Sequence, residues 1–143
     1  MQDIAEQIGR HKVEAVVRDF YGRVRQHPQL SVPFARVQDW PRHEAHIAHF
    51  WWTSLGGERY ADAEYRVGPK HHEVGVTVPL LEDWLGLFRQ SLDTHLAPEL
   101  AAPWFERALK IGESLLFLAQ FAHNPAALAE RNARKAAAHD AQA

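Results

Sequence analysis

Three kinds of side chain in this sequence can hold a metal or donate to a small ligand: the histidines, a tyrosine at position 21 and the tryptophans. Ten histidines and five tryptophans in 143 residues set it apart. Histidine is the commonest metal ligand and titrates near neutrality. His43, His46 and His49 recur at three-residue steps. On a helix, His43 and His46 lie about 60° apart, whereas His43 and His49 lie about 120° apart and about 9 Å apart along the axis. One tetrahedral metal can take two neighbours of this set but hardly all three. His43 shares a helix edge with Ile47 and Phe50, so it looks into an apolar space with His46 at its flank and His49 turned outward. His71 and His72 are adjacent, and neighbours on a helix diverge by about 100°, so only one of them can enter a pocket. Each of these histidines also reads as an ordinary structural residue, because a polar group on an apolar face usually just finds a partner. Tyr21 and Trp84 carry a donor at the end of an aromatic body, and that donor must be satisfied once buried.

The elements that position these residues read as helices. From His11 to Gln26, Val13, Val16, Val17, Phe20, Tyr21 and Val24 recur at three- and four-residue steps and share one face. His27-Pro28 ends that helix, and the stretch to Asp39 supports only a short turn around Phe34. Asp39 caps a second helix, with Pro41 in its first turn, running to about Leu55 and stopped by Gly56-Gly57. The connector from Glu58 to Pro69 has no lasting periodicity, and Lys70 to Val78 reads as a short helix or irregular segment. Pro79 opens a helix with the stripe Leu81, Trp84, Leu85, Phe88, Leu92 and Leu96, closed by Pro98. A last long helix is expected from Pro103 to about Ala122, with Trp104, Ala108, Ile111, Leu115, Leu118 and Ala122 inward. The expected organisation is one all-α domain over residues 1–125, followed by a polar, helix-prone tail over 126–143.

Composition removes several function classes. There is no cysteine, which excludes disulfides, thiolate metal sites, iron–sulfur clusters and cysteine nucleophiles. The formal net charge is -2 and no basic cluster is dense enough to suit a nucleic acid. Apolar runs fall far short of the roughly 20 residues of a bilayer span, so no membrane partner is expected and a cytoplasmic location is.

An ordered set of short motifs carries a resemblance. Phe20-Tyr21-Gly22-Arg23-Val24-Arg25 is followed by Trp40-Pro41-Arg42-His43, then Phe50-Trp51, Lys70-His71 and Trp84-Leu85-Gly86-Leu87-Phe88, with thirteen residues from His71 to Trp84. Over about residues 10 to 120 the chain resembles the third group of truncated haemoglobins. The resemblance implies an all-α, shortened globin, a two-over-two helical sandwich enclosing one haem. It implies His71 as the proximal ligand and the metal-binding residue, with Tyr21, His43 and Trp84 on the opposite, distal side. The cofactor implied is haem b (iron protoporphyrin IX), held non-covalently because the CxxCH attachment motif is missing.

Phe34, Ile47, Phe50, Trp51 and Phe88, with Phe20, Val24, Leu81 and Leu85, offer apolar cover for such a disc. Arg66 and Lys70 are candidate partners for its propionates, as is His46. The implied ligands are dioxygen, carbon monoxide or nitric oxide, with oxygen binding and transport or redox detoxification of nitric oxide or peroxide as outcomes. Because 143 residues leave no room for a flavin or nicotinamide domain, redox turnover would need an external reductase. Whether the chain is an enzyme stays open, and a monomer or weak dimer is expected. Two other readings stand beside this one: a haem-free helical sensor or interaction domain, and a non-haem metal enzyme using His43 and His46.

Overall fold

A computed structural model describes residues 3–61 and 77–119, with residues 126, 129–130, 132–134 and 136–137 of the tail. Arg66, Lys70, His71, His72, Val74 and Val76 lie outside the described residues, and so do the expectations attached to them. The described helices are α1 (Ile4–Ile8), α2 (Arg10–Gln26), α3 (Trp40–Ser54), α4 (Val78–His95) and α5 (Pro98–Ala119), with a 3-10 turn at Val32–Phe34. No strand occurs among the described residues, and no helix there is long and apolar enough to cross a membrane.

Local chemistry accounts for most of the boundaries. The face Val13, Val16, Val17, Phe20, Tyr21 and Val24 of α2 is buried as its periodicity requires. Helix α1, absent from the sequence reading, starts where the Asp3 side chain accepts from Glu6 N–H and stops at Gly9, whose φ of 87° suits glycine. At the start of α3 the Asp39 side chain accepts from Arg42 N–H at 3.1 Å, with Pro41 in the first turn. Asp39→Ala is therefore expected to destabilise the protein by about 1 kcal/mol, measured as a lower denaturation midpoint at unchanged slope.

Helix α5 begins five residues earlier than the sequence reading has it, at Pro98 rather than Pro103. Pro98 closes α4 and also starts α5, where Leu100 and Ala101 N–H both reach Ala97 C=O at 3.0 Å. Pro103 then sits inside the helix. Its ring removes one bond to the preceding turn, a cost that burial of Ala101, Trp104 and Ala108 outweighs. In the tail, the described residues are helical and exposed, with an Arg134–Glu130 pair at 3.4 Å.

Helix α2 packs on α3 and on α4, and α4 packs on α5, so one helix pair lies over another. Helices α4 and α5 run antiparallel: Leu81 abuts Gly112, Phe88 meets Trp104 at 5.6 Å, and the Arg89 guanidinium lies 5.0 Å over Phe105. A Cβ on Gly112 would lie 2.6 Å from Leu81 Cδ1, so glycine permits this approach.

A polar node joins α2 to α4. Arg23 donates to Asp19 (3.0 Å), to Gln90 Oε1 (2.9 Å) and to Thr94 Oγ1 (3.3 Å), while the other Asp19 oxygen lies 3.0 Å from His95 Nε2. Farther along, Lys12 Nζ donates to His95 C=O at 3.1 Å. The wholly buried centre comprises Phe88, Leu92, Trp104, Val13, Val16, Val17 and Val24. Toward the end where Leu81 meets Gly112, the inward residues Leu80, Leu81, Trp84, Leu85, Ile111 and Leu115 are only half-buried.

Candidate ligand pocket

Four rings from three elements surround one point near the start of α3. Tyr21 of α2 lies 5.1 Å from the His43 ring, 5.6 Å from Phe34 and 5.6 Å from Trp40. His43 in turn lies 5.9 Å from Phe34 and 5.4 Å from Trp40. Most of these contacts are edge-to-face, the favourable arrangement of ring quadrupoles. His43 lies in this cluster because α3, capped at Asp39, puts it on the edge it shares with Ile47 and Phe50. Its Nε2 atom is wholly buried.

Trp84 approaches from α4. Its ring stacks on Phe88 with an interplanar angle of 2° and a separation of 5.4 Å, and Phe20 lies edge-on between it and Tyr21, at 5.6 and 5.1 Å. The Trp52 indole N–H is taken by Glu58 C=O at 2.9 Å, whereas that of Trp84 meets no acceptor among the described residues. Behind this layer Trp51 stacks on Phe88 at 5.4 Å and touches Phe50 at 5.2 Å and Trp104 at 5.8 Å.

The structure thus brings together Tyr21, Phe34, His43, Trp84 and Phe88, with Ile47, Phe50 and Trp51 following along α3. In the sequence Trp40 stands out only as part of the Trp40-Pro41-Arg42-His43 motif, yet its ring completes the cluster. The signal available was its place three residues before His43, one helical turn away. Arg25 covers the Trp40 ring at 4.6 Å. Nearby, burial raises the Glu44 carboxyl above its ordinary range against the lowering influence of Arg18 and Arg25.

His49 corrects the sequence reading. It is buried, 7% exposed, and not turned outward. The reading assumed a single covered face on α3, but the chain after Leu55 folds back and covers a second, where Tyr60 N–H donates to His49 Nε2 at 3.3 Å. Burial lowers the His49 pKa from 6.5, and the positive charge of Arg59, Arg10 and His46 adds to the effect. His46 stays half-buried. Among the described residues no group of three or more His, Asp or Glu side chains is gathered as a metal site.

The residues present suit a flat apolar group with a polar ligand on one face. Half-buried Phe34, Phe50, Leu80, Trp84, Leu85 and Ile111 border the core, and the Trp84 N–H meets no acceptor among the described residues.

Helix pairs of this order and packing, with aromatic and histidine side chains drawn to one end, make the fold a globin-type sandwich. The chain belongs to the bacterial-like globins, whose family model matches residues 3–111, and within them to the third group of truncated haemoglobins. Among solved structures it is similar to the group III truncated haemoglobin from Campylobacter jejuni, with a TM-score of 0.70 and 26% sequence identity over 78% of this chain and 91% of that one. A search of curated protein sequences returned no match.

Proposed function

We propose that the chain holds one haem b non-covalently, with His71 as the axial ligand, and binds dioxygen, carbon monoxide or nitric oxide on the side of Tyr21, His43 and Trp84. The observation that carries this reading is the gathering of Tyr21 and His43 at 5.1 Å, with Trp84 one ring away and its N–H unengaged among the described residues. Family membership supports the same reading. Haem, when bound, supplies the iron at which a diatomic molecule is held. The chain supplies apolar cover from Phe34, Ile47, Phe50, Trp51 and Phe88, and propionate partners in Arg66 and Lys70. Tyr21 and Trp84 donate hydrogen bonds to a ligand that carries partial negative charge, and exclusion of water strengthens them. His43, beside Tyr21 and edge-on to Trp40, gates access from solvent. Redox turnover of nitric oxide or peroxide on this platform draws electrons from an external reductase.

Adding haem to the purified protein is expected to give a sharp Soret band saturating at one equivalent, with a ferrous spectrum that shifts under carbon monoxide. A broad band without saturation would instead favour a haem-free helical interaction domain.

A further inference from the structure

The chain that follows α3 is fastened back onto that helix. Gly56, with φ 102°, reverses the backbone, and Gly57 N–H donates to Trp52 C=O at 2.9 Å. A side chain on Gly57 would overlap the Trp52 indole, which lies flat on the turn and donates to Glu58 C=O. Two residues on, the backbone N–H of Tyr60 reaches His49, and the two rings meet edge-on at 4.6 Å. The Arg10 guanidinium closes the stack from the start of α2, 3.5 Å from the Tyr60 ring centre. This assembly lies apart from the ring cluster around His43.

The chemistry of the fastening is specific. A backbone N–H only donates, so His49 Nε2 must present its lone pair and the imidazole must be neutral. Protonation puts a hydrogen on the atom that now accepts, turning the bond into a repulsive contact inside a buried site. The described charges that face His49 all oppose protonation: Arg59 on the loop, Arg10 on α2 and His46 one turn back on α3, with no carboxylate acting on it among the described residues.

We propose that His49 is an acid-opened latch, which when neutral pins residues 58–61 to α3 and when protonated releases them together with the Arg10–Tyr60 stack. The folded protein holds His49 neutral below its ordinary pKa of 6.5, so as pH falls the unfolded or unlatched chain takes the proton first. The latch is complete above about pH 6.5 and is lost as pH falls through the lower, folded value. Ala61, at its end, stands ten residues before His71 in the sequence, so the latch anchors the near end of the connector that carries the proposed haem ligand. Acidification is thereby coupled to haem retention. This coupling rests on the haem reading, whereas the latch itself does not.

The test follows the Tyr60 amide by hydrogen exchange between pH 7.5 and pH 5, in wild type and in His49→Gln, whose amide oxygen accepts without titrating. The expected result is a protection factor that drops about tenfold on acidification in wild type, equivalent to about 1.4 kcal/mol, and stays level in the variant. Arg10→Gln keeps His49 and should move the wild-type midpoint upward; it decides the matter if the first variant does not fold. A drop of equal size and midpoint in all three proteins overturns the latch. On haem-loaded protein, transfer of haem to excess apo-globin should accelerate at low pH more in wild type than in His49→Gln. Equal acceleration with a responsive Tyr60 amide overturns the coupling and leaves the latch standing.

Discussion

Replacing His71 by glycine is expected to weaken haem binding at least about a hundredfold, while His72→Gly leaves it within a few-fold. Loss of groups that merely orient a metal ligand costs about 10- to 100-fold in affinity, so loss of the ligand itself should reach or exceed the upper limit. The choice between the two histidines rests on Lys70-His71 and the thirteen residues to Trp84. Neighbouring side chains diverge too far for both to face the same iron. Haem titration of both variants reads the affinity, and free imidazole supplied to His71→Gly should restore the wild-type ferrous spectrum. If His72→Gly loses haem and His71→Gly keeps it, the register is wrong by one residue.

On the other side of the proposed site, Tyr21→Phe is expected to speed release of dioxygen roughly ten- to a hundredfold. The substitution keeps ring volume, and with it the ring contacts to His43, Phe34 and Trp40. It deletes only the hydroxyl. A hydrogen bond to a charged acceptor in a dry pocket contributes about 1.5–3 kcal/mol, and each 1.4 kcal/mol is about a factor of ten. Trp84→Phe should act in the same direction, with some added packing loss because its ring is stacked on Phe88. Carbon monoxide carries less negative charge, so its release should change much less. Stopped-flow displacement measures both gases. Unchanged dioxygen release in both single variants and in the double variant removes the two donors from this role, and equal acceleration of both gases assigns them a steric one.

The helix order, the Asp39 cap and the inward stripe of α2 were legible because periodicity and capping are local properties of the chain. So was the approach of Tyr21 and His43, once the resemblance supplied a fold; periodicity alone placed them on inner faces without showing that those faces meet. What escaped depends on contacts between elements. His49 looked exposed because helix geometry gives directions relative to one axis and says nothing about a loop returning over a second face. The start of α5 was misplaced because a propensity argument puts Pro103 in the first turn of a helix, and only the burial of Ala101 and Trp104 shows that packing tolerates it inside one. Trp40 sits in the first turn of α3, beside a proline, and its place one turn before His43 hints at a shared face without showing that its ring returns to Tyr21.

The Asp19–Arg23 node has a mechanical consequence. Its bonds to Gln90, Thr94 and His95 are directional, so a slip of one turn between α2 and α4 would break all of them at once. The two helices behave as a single stiff lever that keeps Phe20 against Trp84.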